Sequence, residues 1–125
     1  MSTTSEDEVE YLKPHRIHHD LTNMTSALVL NLETILYPGR TATVKDVEDQ
    51  RALVENDFLN ILRYFSKVPD SYDWRLLQKE KLIDLYAEYQ QCTRYRLEKM
   101  IHTLGEMKMF FYGNKLKYVY TGLDL

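Results

Sequence analysis

The stretch WRLLQKEKLIDLYAEYQQCTRYRLEKMIHTLGEMKMFFYGNKLKYVY, residues 74–120, decides the fold. It contains no proline, and its first glycine is Gly105. From Trp74 to about Leu104 nothing interrupts a helix, and Leu82, Tyr86, Tyr89, Thr93, Leu97, Met100 and Leu104 recur at helical spacing. The spacing predicts one helix of roughly 31 residues, about 46 Å long, with Asp73 or Ser71 as its candidate cap. The period then changes. Met107–Tyr112 and Lys115–Tyr120 flank Gly113-Asn114, and a two-residue Gly-Asn loop between two such runs signals a β-hairpin with glycine first in a type II′ turn. With Tyr112 opposite Lys115, one hairpin face holds Met107, Met109, Phe111, Leu116, Tyr118 and Tyr120. The other holds Lys108, Phe110, Tyr112, Lys115, Lys117 and Val119. A rival reading carries the helix on to Tyr112 with Gly105 inside it.

Working outward towards the N-terminus, two shorter helices precede this stretch. Pro14, whose fixed φ suits a first helical position, opens one that runs to Tyr37, where Pro38-Gly39 stops it. Ile17, Leu21, Met24, Leu28 and Ile35 form its apolar stripe, and Ala27, Val29, Leu30 and Leu32 widen it, so this helix is expected to sit centrally in a bundle. Thr43, with Asp46 three residues on, resembles a capping box and opens the other. Val47, Val54, Phe58, Ile61 and Phe65 line its buried face, and Val68-Pro69 ends it. Each should be only about 35 Å long, so the third helix is expected to overhang them by about two turns. The expected fold is therefore mainly α: a three-helix bundle with a long third helix and a C-terminal β-hairpin. It forms one domain over residues 13–121, between a disordered acidic tail (1–12) and a short C-terminal tail (122–125).

Composition narrows the function classes. The net charge is −3: four acids, Glu6, Asp7, Glu8 and Glu10, lie in the first ten residues, and the remaining 115 carry 16 basic and 15 acidic side chains, a net +1. Such a near-neutral body lacks the basic bias of a dedicated nucleic-acid binder. A single cysteine, Cys92, excludes an internal disulfide and fits a reducing compartment, cytoplasm or nucleus. No apolar run reaches the roughly 18 residues of a membrane span, and the acidic N-terminus is no secretory signal.

Few residues point to chemistry. His15, His18 and His19 could pair across one helical turn as metal ligands, but a zinc site needs three or four, so neither a metal nor a cofactor is expected. From His19-Asp20-Leu21-Thr22-Asn23 through Ala27-Leu28 and Asn31-Leu32-Glu33 to Leu36, the sequence resembles the phosphoacceptor helix of sensor histidine kinases. That resemblance implies a phosphoryl group on His19, Asp20 as its base or orienting group, and a helical hairpin that dimerises. It ends at residue 36 and no glycine-rich nucleotide-binding segment follows, so it implies at most a histidine phosphotransfer module served by another kinase. Cys92 lies mid-helix with no activating motif beside it. Arg94, Arg96, Lys99, Lys108, Lys115 and Lys117, interleaved with Tyr95, Phe110, Tyr112 and Tyr118, could stack and neutralise a single-stranded nucleic acid.

A helix too long for its neighbours, with a tyrosine-rich stripe and a surplus of aromatic residues in the last third, reads most directly as an interaction surface. The expectation is a non-enzymatic adaptor or complex subunit. It would bind another protein chain through Tyr86, Tyr89, Tyr95, Arg96, Lys108, Phe110, Tyr112, Lys115 and Lys117. A homodimer, with the long helices paired as a coiled coil, is the simplest assembly.

Overall fold

The computed structural model describes residues 13–121, with side chains as far as Lys117. The expected tails at 1–12 and 122–125 lie outside the described residues. Four helices make up the fold: α1 (Pro14–Leu36), α2 (Val44–Phe65), α3 (Arg75–Gln90) and α4 (Arg94–Thr121). There is no strand among the described residues. The expected three-helix bundle with a C-terminal hairpin is thus a four-helix bundle, and both errors lie in the 74–120 stretch.

The first correction is a break in the long third helix. α3 ends at Gln90, and Gln91–Thr93 form a tight turn in which the Cys92 N–H donates to the Tyr89 carbonyl (3.2 Å). No proline or glycine marks it. The reason is burial. A continuous helix over residues 75–121 would be about 70 Å long, against about 33 Å for α2, and half its apolar stripe would have no neighbour. Folding back at Cys92 lets α3 bury Leu82, Leu85 and Tyr89 while α4 buries Leu97, Met100, Leu104, Met107 and Phe111 in the same core.

The second correction is that the expected hairpin is the C-terminal half of α4. Leu97, Met100, Leu104, Met107 and Phe111 are spaced by three, four, three and four residues, and that period carries the helix through Gly105 and Gly113. A Cβ at either glycine would meet nothing within 4 Å. Neither position therefore needs glycine for space, and no left-handed turn occurs at Gly113. The two-faced pairing of Lys108–Lys117 disappears with the hairpin.

The first two helices form where the sequence places them. Pro14 occupies the first turn of α1. Thr43 caps α2: its hydroxyl accepts from the Asp46 N–H (3.1 Å), and the Asp46 carboxylate accepts from the Thr43 N–H (2.9 Å). Neither candidate cap of the third helix is used. Trp74 stands at the N-cap of α3 without a side-chain bond, and Arg75 instead latches the α2–α3 loop, donating to the Phe65 carbonyl (3.1 Å) and pairing with Asp70 (2.9 Å).

Contacts between ends give the topology. Tyr64, late in α2, donates to Asp20, early in α1 (2.8 Å), while Asn31, late in α1, donates to Asp57 (2.6 Å). Tyr89, late in α3, donates to the Arg51 carbonyl, early in α2 (3.0 Å). His18 of α1 and Trp74 at the head of α3 both meet Phe110 and Phe111, late in α4. Each helix therefore runs antiparallel to its neighbours, in the order α1–α2–α3–α4 and back to α1. The α1–α4 seam is the most extensive and the α3–α4 seam the slightest.

Candidate functional site

The slight α3–α4 seam leaves space between its helices. Gln78, Leu82, Leu85 and Tyr89 stand one turn apart on the inward face of α3, so Gln78 fills a core position with a polar side chain that is 5% exposed. Beside it lies a cleft of about 240 Å³ lined by Gln78, Lys81, Thr103, Glu106, Met107 and Phe110. Phe110 also lines a second cavity of about 490 Å³ with Asp73, Trp74, Asn114 and Lys117. Glu106 extends the concavity the other way, into a shallow depression of about 500 Å³ with His102, Gly105 and Met109. The three spaces follow α4 as one interrupted groove.

Among the described residues, two atoms in this seam are buried without a hydrogen-bond partner: the Gln78 Oε1 acceptor and the Trp74 Nε1–H donor. A buried amide or indole group left unbonded costs about 1–3 kcal/mol. Trp74 is otherwise well held, stacked on Tyr72 (5.6 Å between centroids) and edge-on to Phe65, Phe110 and Phe111. Aromatic packing fixes the indole, and its polar edge is left over.

The residues expected to bind a partner are dispersed. Tyr86 and Tyr89 face α2: the Tyr86 hydroxyl donates to Glu55 (3.1 Å), and both rings pack on Phe58. Tyr95 is 81% exposed, and Arg96 is exposed beside it. On a helix, the set once placed on one hairpin face divides in two. Lys108, Tyr112 and Lys115 share one side, four and three residues apart, and Phe110, Asn114 and Lys117 share the other, lining the cavity at Trp74. The side chains of Tyr118, Val119 and Tyr120 lie outside the described residues.

The histidine cluster is also divided. His18 is fully buried against Trp74 (4.7 Å between centroids), and its Nδ1–H donates to the Pro14 carbonyl (2.8 Å). Since a carbonyl only accepts, that bond sets the proton on Nδ1. Burial pushes the His18 imidazole below its ordinary pKa, against the smaller opposing pull of the Pro14 carbonyl. His15 and His19 stack on each other (6.4 Å), and His19 Nε2 accepts from Asn23 (3.2 Å). Asp20 binds Arg16 (3.2 Å) and Tyr64 rather than His19. No group of three His, Cys, Asp or Glu side chains is placed to hold a metal among the described residues. Burial pushes the Cys92 thiol up, the direction opposite to activation.

Sequence reasoning missed Trp74, Gln78 and Asn114. Gln78 had a readable signal: it continues backwards by four residues the stripe of Leu82, where a polar residue is out of place. No described helix is long and apolar enough to cross a membrane. No family model matches the chain, and no curated protein or solved structure matches it either.

Proposed function

We propose that this chain is a non-enzymatic protein–protein interaction module, an adaptor or complex subunit whose partner surface is the outer side of α3 and α4. One observation carries the reading. Leu76 (62%), Leu77 (56%) and Ile83 (44%) on α3, with Tyr95 (81%), Met109 (63%) and Tyr112 (41%) on α4, stand in solvent on helices whose inner faces are already committed to the core. Leu76 and Ile83 lie seven residues apart, on one outer stripe of α3 with Ala87. Six of the ten large apolar side chains exposed among the described residues stand on these two helices, the others being Leu30, Tyr37, Val44 and Leu53, and exposed apolar clusters mark contact sites more often than scattered single residues do. Tyrosine and methionine are also the side chains that interfaces favour.

A body with 16 basic and 15 acidic side chains exerts little pull on a polyanion, which favours a protein over a nucleic acid. A second copy of the chain is the simplest partner, forming a symmetric dimer through the same surface. Native mass spectrometry of the intact chain, with photo-crosslinkers placed at Ile83 and Met109 and a control at Thr34 on α1, tests the reading. A complex cross-linked from residues 83 and 109 but not from 34 is expected. A monomer with no cross-linked partner from either α3 or α4 would overturn it.

A further inference from the structure

The two unbonded atoms of the α3–α4 seam stand in a defined relation. Trp74 and Gln78 are four residues apart, one turn of α3, so their side chains leave the helix on the same side with about 6 Å of axial rise between them. One is a donor and the other an acceptor, both are sealed from solvent, and neither bonds the other. Phe110 separates the two cavities that they line. A ligand matching this pair supplies one acceptor and one donor, with an apolar body between them to lie on Phe110.

We propose that the α3–α4 seam takes an extended peptide segment of a partner protein, whose main-chain N–H donates to Gln78 Oε1 and whose main-chain carbonyl accepts from the Trp74 indole N–H. This rests on the interaction reading above and names what enters the seam. An extended chain presents unbonded N–H and C=O groups along one edge, so one segment supplies both the donor and the acceptor that the pair calls for. A helix is excluded as the inserted element, because its main-chain groups are already bonded within it. The seam can open to admit a strand because α3 and α4 share fewer contacts than any other adjacent pair. Charges at the two ends alternate, Lys81 with Glu106 beside Gln78 and Asp73 with Lys117 beside Trp74, so the groove selects for main chain more than for a charged side chain. Main-chain bonding of this kind gives affinity with little sequence demand. Gln78 is thereby destabilising in the lone chain and useful in the complex.

The test uses the intact chain and a defined probe, N-acetyl-dialanine N′-methylamide, followed by proton–nitrogen NMR. Trp74 is the sole tryptophan, so one indole N–H resonance reports directly on the site. Saturable shifts of that resonance and of the Gln78 carboxamide are expected. The same peptide with its amide nitrogens methylated should bind at least about tenfold more weakly, since it offers no donor to Gln78. Gln78→Leu should raise the melting temperature while abolishing the shift at Trp74. Trp74→Phe, read at the Gln78 carboxamide, should weaken binding as well. The absence of a saturable shift, equal binding of the methylated peptide, or unchanged binding to Gln78→Leu would each overturn the proposal. If the peptide fails while native mass spectrometry still finds a complex cross-linked from Ile83 and Met109, only the seam is lost and the interaction reading stands.

Discussion

His18 is the residue whose placement has the clearest consequence for stability. Its imidazole is buried, neutral and protonated on Nδ1, with a pKa below the 6.5 of the unfolded chain. Below pH 6.5 the unfolded state therefore binds more protons than the folded state, and stability falls as pH falls from 6.5 towards the depressed folded value. The slope contributed by one group is at most about 1.4 kcal/mol per pH unit. Melting curves at pH 5 and pH 7.5 should show this loss, and His18→Phe should flatten the difference. An unchanged pH dependence in His18→Phe would assign the effect to other groups. The cluster His15-His18-His19 was legible as a first turn rich in histidine, but not that its middle member turns inward. That depends on Trp74 and Phe111, brought there by helices fifty and more residues away. Core positions on α1 and α2 were more legible. Leu28 and Ile61 are buried as their stripes require, and Leu28→Ala or Ile61→Ala should each cost about 2–5 kcal/mol in chemical denaturation. Leu30 was read as widening the same stripe and is 64% exposed, because a helix with neighbours on only two sides keeps one face in water.

At the scale of elements, legibility tracks how each helix ends. α1 and α2 begin and stop on residues with a local mechanism: proline at a first turn, a threonine–aspartate capping box, proline beyond the last turn. Their bounds were readable to within about two residues, which is also where boundary definitions themselves differ. The α3–α4 break has no such residue. The apolar stripe runs through it in phase, because a chain that reverses can present the same face to the same core from both limbs. Only the length of the unbroken pattern, too long for any neighbour to cover, pointed to a turn. The C-terminal misreading came from weighing a Gly-Asn pair above a stripe of helical period that continued through Met107 to Phe111. That correction makes an element-level prediction. Gly105 and Gly113 sit inside a helix with open space at the Cβ position, so Gly105→Ala and Gly113→Ala should each stabilise α4 by up to about 1 kcal/mol. Loss of stability at Gly113→Ala in thermal melts would bring back a turn at that position.

For the whole molecule, large apolar residues stand exposed on every helix, and six of the ten among the described residues are on α3 and α4. The α1–α4 and α1–α2 seams bury leucine, isoleucine and phenylalanine, and Asn31–Asp57 and Tyr64–Asp20 bond across the α1–α2 seam. α3 and α4 carry exposed apolar residues on their outer faces and unbonded polar atoms in the seam between them. If that outer side meets a partner, stability and association should separate there. Leu76→Glu combined with Ile83→Glu replaces side chains that are already in water, so the isolated chain should change by no more than about 0.5 kcal/mol per site. Association should be lost, because a carboxylate buried at an apolar contact has no cation to meet it. Leu30→Glu, equally exposed but on α1, should leave association intact. Lys108→Glu with Lys115→Glu, flanking Tyr112, should alter the rate and salt dependence of association more than its strength, as charges at the rim of an interface do. Sedimentation or native mass measurements across the four proteins separate these outcomes. Equal association of Leu76→Glu/Ile83→Glu and the unmodified chain would mean that the exposed leucines and isoleucine of α3 are ordinary surface, and that whatever this chain binds is bound elsewhere.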